Sequence, residues 1–246
     1  MKIAVFSDIH SNPHALMWVL EDAKKHGCER FICLGDVVGY GYNPNTCIDI
    51  CKNENVECIL GNHDAGLIGK LSLGWFSATA YKGIVRQQDE VDESRKEWLQ
   101  GLQYQKKEDF GAWRCCFSHG TFNRPEEFEY IHGLYDARLE FEFMKMRGCD
   151  VLFVGHTHYA QVFAEGIMDD IPVCYDIDDA PDLTINLNNY TRAIVNVGSI
   201  GYPRNQPFVI YVIFDTEEQR IHYRQSPFDF VSYIEEMNKR NIEIPL

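Results

Sequence analysis

Five short polar clusters in this chain carry side chains of the types that can bind divalent metal ions: Asp8-Ile9-His10, Gly35-Asp36, Gly61-Asn62-His63-Asp64, Ser118-His119-Gly120 and Gly155-His156-Thr157-His158. Hard and borderline ions prefer carboxylate, imidazole and amide oxygen donors, and nearly every side chain here offers one. Two ions held about 3.5–4 Å apart need at least one shared ligand, a task a carboxylate performs well, and Asp36 is the natural bridge. Singly, each cluster has an ordinary explanation. Asp and Asn after a strand commonly cap backbone donors, and an isolated His119 is more often a hydrogen-bonded structural residue. Five such clusters in order are hard to obtain from unrelated loop requirements. The glycines at 35, 61, 120 and 155 are expected to let the backbone turn sharply toward the site.

The elements between the clusters read as strands and helices that deliver them to one place. Ile3 to Ser7, Arg30 to Leu34, Val56 to Leu60, Trp113 to Ser118 and Val151 to Val154 are compact apolar runs, each ending in one of the clusters. Asn12 and Pro13 open a helix whose Leu16, Val19, Leu20 and Ala23 recur at helical spacing until Gly27; a second helix starts near Pro44 and runs through Ile48 and Cys51. Strand and helix alternate, which predicts a parallel sheet with ligands beyond its carboxyl ends. A helical excursion is expected over about 65–110, anchored by Trp75, Phe76, Trp98 and Leu99. A further helix is expected from Leu134 to Met146, closed by Gly148. After His158 come short segments at Tyr159–Ala164, Val173–Tyr175, Arg192–Val197, Phe208–Phe214 and Ile221–Arg224, read as antiparallel strands of a second sheet, then a closing helix over Phe228–Lys239. The whole of 1–246 is expected to be one α/β domain.

The ordered set D-x-H, GD, GNHD, H and GHTH resembles the calcineurin-like metallophosphoesterase superfamily over Asp8 to His158. Asn196-Val197-Gly198-Ser199 with Pro203-Arg204 resembles the NPGS-and-PR ending of its small bacterial and archaeal phosphodiesterase-like branch, with Val197 in place of the usual proline. The resemblance implies a two-sheet β-sandwich flanked by helices, in four layers. It implies two divalent metal ions, manganese, iron or zinc, one held by Asp8, His10, Asp36 and His158 and the other by Asp36, Asn62, His119 and His156. A hydroxide shared by the ions would attack phosphorus, with His63 unligated and acting as general acid. Asp64 would orient His63 or serve as a cap. Arg204 is the candidate phosphate contact; its ordinary reading is a surface arginine.

One departure bears on the substrate. Protein phosphatases of that superfamily carry GDxVDRG and GNHE, whereas this chain has Gly39 and Tyr40 at the second Asp and the Arg, and Asp64 at the Glu. The guanidinium fork that suits a phosphomonoester dianion is missing there, which favours a small phosphate diester. Tyr40 and Tyr42 are read as rim packing, and Asn123 and Arg124 as neighbours of the pocket. The alternatives are a phosphomonoesterase, a protein phosphatase or a dinucleoside-polyphosphate hydrolase, and, from another class, a non-catalytic metal-binding scaffold.

A net charge of −14 repels polyanions, and no Lys/Arg stripe with interleaved aromatics reverses it locally, so long nucleic acid is not expected as a partner. No apolar run approaches the roughly 20 residues of a membrane-spanning helix, and the start of the chain is unlike a signal peptide, so a cytoplasmic location is expected. Nine cysteines scattered through apolar runs read as buried hydrophobes; Cys47 and Cys51 have no second pair at zinc-site spacing.

Overall fold

In the computed structural model, which describes residues 1–167, 172–177, 183–204 and 208–243, the chain opens with β1 (Lys2–Phe6), α1 (Pro13–Lys25), β2 (Cys28–Cys33), α2 (Pro44–Asn53) and β3 (Glu57–Cys58). Asn12 caps α1 by accepting from the Ala15 amide (3.1 Å), and Pro13 and Pro44 pre-set the first turns of α1 and α2. Next come α3 (Asn62–Leu67), α4 (Ala78–Glu90), α5 (Glu93–Gln100), β4 (Gln105–Phe110), β5 (Trp113–Ser118), α6 (Leu134–Arg147) and β6 (Val151–Val154). The remainder supplies β7 (Ala160–Gly166), β8 (Pro172–Asp176), β9 (Thr184–Asn186), β10 (Tyr190–Val197), β11 (Phe208–Asp215), β12 (Arg220–Pro227) and α7 (Phe230–Lys239).

Alternation along β1 sets the layers. Ile3 and Val5 point to one apolar layer, Ala4 and Phe6 to another, and all four are fully buried. A strand apolar on both faces needs cover on both sides. On one side, Leu16, Val19 and Leu20 of α1 and Ile48 of α2 pack with Ala4 and Phe6. On the other, Ile3 and Val5 share a layer with Phe117 of β5, Val151 and Phe153 of β6 and Val195 of β10. The far face of that second sheet, through Cys116, Leu152 and Val154, is covered by Phe141 and Met144 of α6. The order is helix, sheet, sheet, helix, as the resemblance implies.

The sheets run β3-β2-β1-β11-β12-β9 and β4-β5-β6-β10-β7-β8. Both are mixed, which corrects the expectation that the late strands form a sheet of their own. β11 pairs antiparallel with β1, while β10 pairs parallel with β6, so the late segments complete both sheets. Strand existence is local information; the choice of partner is not.

The excursion also needs correcting. Helix ends with α5, and Gln105–Phe110 is an edge strand against β5. Its charged Gln-Lys-Lys-Glu-Asp run hides the period, and such charge is how exposed sheet edges avoid pairing with other chains. Trp98 and Leu99 pack inward with Phe76, but Trp75 is 83 % exposed and anchors nothing. The third strand shrinks to two residues because Leu60 leaves the sheet to donate to the Gln103 carbonyl.

Candidate metal centre

Strand register brings the clusters to one edge. Phe6 pairs with Cys33 and Cys33 with Cys58 in the first sheet; Phe117 pairs with Phe153 and Val154 with Asn196 in the second. Parallel neighbours in register release their chains at the same end, where the exit loops pair with each other. Asp8 N donates to Gly35 O (3.1 Å), His10 N to Asp36 O (2.9 Å) and Gly155 N to His119 O (3.0 Å).

The structure brings Asp8, His10, Asp36, Asn62, His119, His156 and His158 together, none more than 8 % exposed. Asp8 Oδ1 lies 3.2 Å from His158 Nε2 and 3.7 Å from His10 Nε2. Asp36 Oδ2 lies 3.4 Å from His119 Nε2 and 3.8 Å from His10 Nε2, and Asn62 Oδ1 is 3.0 Å from His119 Nε2. Compact donor groups form around Asp8, His10 and His158 and around Asp36, His119 and His156; Asp36 also groups with His10 and His63.

Three imidazoles are held in one tautomer from behind. Nδ1 of His10 donates to Val38 O (3.2 Å), Nδ1 of His119 to Leu34 O (2.8 Å) and Nδ1 of His158 to Tyr202 O (2.6 Å). A carbonyl only accepts, so each Nδ1 carries a proton and Nε2 is the nitrogen turned inward, the orientation seen in metal-binding histidines. His10 Nε2 and His158 Nε2 are 3.1 Å apart. Two lone pairs at that distance repel, but ligands about 2.1 Å from one shared ion stand roughly 3.0–3.4 Å apart. Asp8 Oδ1 is fully buried with no hydrogen-bond partner among the described residues. The donor set therefore fits divalent ions.

Backbone strain accompanies the candidate ligands. Asp8, His10, Asp36, His156 and His158 all sit in the left-handed region, with φ of 56°, 46°, 55°, 65° and 66°. Such conformations cost about 1–3 kcal/mol each and collect at functional sites. The glycine expectation holds in this form only for Gly35, at φ +103°. Gly61 and Gly155 instead permit close approach, since a Cβ there would lie 2.1 Å from Asp36 Oδ1 and 2.2 Å from Ser7 Oγ.

Burial opposes charge on Asp8, yet His158 and His119 outweigh it and hold the carboxyl below the usual range; for Asp36, His119 and His63 do the same. Burial likewise opposes charge on His119, but the Asp36 and Asp8 carboxylates push it up to about 9. Burial, then the neighbouring His119, pushes His156 down to about 3. The carboxylate pair thus draws positive charge into the gap between them.

His63 stands beside this group. Its ring meets His10 (4.8 Å between centroids), Tyr40 (4.6 Å) and Phe76 (5.3 Å), and its buried Nδ1 has no hydrogen-bond partner among the described residues. Burial holds its pKa below the usual histidine value. The Asp64 side chain accepts from Val38 N and Gly61 N, both at 3.1 Å, so its two oxygens tie ligand loops together; burial and then Asp36 push its carboxyl up to about 7. Arg204 is exposed, and its charge acts on Tyr40, Tyr130 and Tyr202 at the mouth of the site. Tyr42 is elsewhere, against Tyr233 and Arg240. Arg124 pairs with Glu127 and Glu129.

Residues 1–219 match the family model described as the calcineurin-like phosphoesterase superfamily domain. The chain belongs to that family. It is 31 % identical over 245 residues to an uncharacterized protein of Methanocaldococcus jannaschii, covering 98 % of this chain and 93 % of the relative. A metallophosphoesterase from Sphaerobacter thermophilus superposes with TM-score 0.79 at 26 % identity, covering 99 % and 95 % of the two chains. A hypothetical protein from Pyrococcus horikoshii shares the fold, with TM-score 0.75 at 17 % identity and 98 % and 94 % coverage. The phosphoesterase family makes the protein a hydrolase, and its buried Asp and His groups suit the divalent metals that such enzymes use.

Several residues of this phosphoesterase escaped the sequence reading. Asn196 Nδ2 donates to Gly155 O (3.1 Å) and Thr157 Oγ1 (2.8 Å), bracing the His156–His158 loop. Ser199 Oγ donates to Asp8 O (3.0 Å). Both lie in the Asn196–Ser199 motif, which was noticed without its bracing role. Tyr130 stacks on His156 with centroids 3.9 Å apart and planes 9° apart, and no local signal announces it. Gln87, in the excursion, holds Gly39, Ser11 and Gly41.

Proposed function

We propose that the protein is a dinuclear-metal-dependent phosphodiesterase acting on a small phosphate diester. The observation that supports this reading is Asp36 Oδ2 lying between His119 (3.4 Å) and His10 (3.8 Å), each of a different donor group, with Gly39 and Tyr40 packed on His63 where a guanidinium would suit a monoester. Asp8, His10, Asp36 and His158 would hold one ion, and Asp36, Asn62, His119 and His156 the other; manganese, iron and zinc all suit this mixed set. When bound, the ions would polarise the phosphoryl oxygens and supply a hydroxide at neutral pH.

The chain's own groups do the rest. The carbonyls of Val38, Leu34 and Tyr202 would hold a proton on Nδ1 of His10, His119 and His158 and so leave Nε2 as the nitrogen available to an ion. His63, with Nδ1 sealed against Gly39, would deliver a proton from Nε2 to the leaving oxygen, worth about 10²–10⁴ in rate. Asp64 would position both ligand loops rather than touch the substrate. Arg204 would grip a phosphate oxygen at the mouth.

Arg204 also supports the second reading, a phosphomonoesterase. The test strips the protein of metal and adds back manganese, zinc or iron, with an aryl phosphodiester and the matching monoester as substrates. Metal-dependent diester turnover is expected. Monoester preference would favour the second reading, and bound metal with no turnover of either ester would favour a scaffold.

A further inference from the structure

A cavity of about 590 Å³ opens beside Asn62 and His156. Its wall comes from two short 3-10 turns, Leu73–Trp75 and Pro125–Glu127, and the residues that follow them. Four aromatic side chains line it, Trp75, Phe76, Phe128 and Tyr130, together with the carboxylates of Glu126, Glu127 and Glu129. The second turn is strapped to the metal centre. Thr121 N donates to Glu129 O (3.2 Å), the Phe128 ring meets His119 edge-on at 5.9 Å, and Tyr130 lies flat on His156. Phe128 reaches its place through a left-handed backbone, φ 52°.

Two features of this wall lack a structural purpose. Trp75 is 83 % exposed, the other three tryptophans being partly buried, so its ring faces the cavity without serving the core. Arg124 pairs with Glu127 and Glu129, while Glu126 has no ion pair among the described residues. Three carboxylates against the guanidiniums of Arg124 and, acting on Tyr130, Arg204 leave the wall with a net negative charge. Aromatic faces beside negative charge attract organic cations and repel further phosphates.

We propose that the cavity receives one arm of a phosphodiester and selects an arm ending in an alkylammonium cation over a neutral arm or one bearing further phosphates. This rests on the phosphodiesterase reading above. Hydrolysis adds one water across the P–O bond, its hydroxyl going to phosphorus and its proton to the leaving oxygen, so that a phosphomonoester remains and the second group departs as its alcohol.

The test compares 4-nitrophenyl phosphate diesters of choline and of 3,3-dimethylbutanol, which match in shape and differ by the charge, in wild-type, Trp75→Ala and Glu126→Gln proteins. In parallel, phosphocholine and 3,3-dimethylbutyl phosphate are titrated by calorimetry, a readout that needs neither turnover nor Trp75. The choline ester is expected to show kcat/KM about 5–30-fold higher, phosphocholine to bind tighter by a similar factor, and both ratios to fall toward one in the two variants. Equal treatment of the two arms by the wild type, or an undiminished ratio in both variants, overturns the proposal. If neither diester turns over with any metal, the phosphodiesterase reading fails, and the binding ratio alone decides whether the cavity prefers the cation.

Discussion

Gly39 lies directly against the ring of His63: a Cβ at position 39 would stand 2.1 Å from Nδ1 and 2.7 Å from Cγ, and the residue holds φ +96°. Both the contact and the backbone angle exclude a side chain. Gly39→Ala is expected to lower stability by about 1–3 kcal/mol and to displace His63, reducing kcat. Thermal unfolding and steady-state kinetics on one preparation check this; an unchanged Tm would show that the ring yields freely.

His63 groups with His10 and Asp36 yet is assigned no metal. His63→Ala is expected to cut kcat by about 10²–10⁴ with metal content preserved. Elemental analysis beside kinetics reads both. Loss of metal in this variant would make His63 a ligand instead of the acid.

Asp36 groups with His119 and His156 on one side and reaches His10 of the other donor group (Oδ2 to Nε2, 3.8 Å), while its Oδ1 accepts from His63 N at 2.8 Å. Asp36→Ala is therefore expected to abolish binding of both ions, where loss of a ligand to one ion alone would spare the other. Retention of two metals per chain would break the bridging assignment.

Asn196 touches no ligand side chain, but it holds Gly155 and Thr157 on either side of His156. Asn196→Ala is expected to weaken metal affinity about 10–100-fold, the usual cost of removing a supporting contact. Metal titration of the stripped protein measures it, and affinity within twofold of wild type would show that the loop holds its shape unaided.

Far from the centre, Arg30 reaches Glu57 and Glu108 with paired hydrogen bonds of 2.6–2.9 Å. The Arg30 guanidinium holds Glu108 down to about 2, from an ordinary value of 4.5. A lowered carboxyl stabilises the fold fully above its unfolded value, and that contribution disappears as pH falls from about 4.5 toward 2. Arg30→Met is expected to cost about 1–2 kcal/mol at pH 7 and to flatten stability across that acid range. Urea unfolding at pH 7, 5, 4 and 3 tests both; parallel curves for the two proteins would remove Glu108 from the account.

The residues that the structure gathers at one edge were legible in the sequence because each cluster directly follows an apolar run, and a buried parallel strand can deliver its exit residues only to the sheet's carboxyl edge. The caps at Asn12 and Pro13 and the stop at Gly148 were local as well, being fixed by a side chain's own neighbours. What the sequence could not declare was pairing across the chain. Whether β10 and β11 formed their own sheet or completed two others depended on which apolar faces remained uncovered after β1 and β6 were placed, a property of the assembled layers. The same holds for Tyr130 against His156, for Trp75 turned toward the cavity and for the carbonyls that fix each histidine. Those contacts join residues distant in sequence, and only the packed tertiary structure chose their partners.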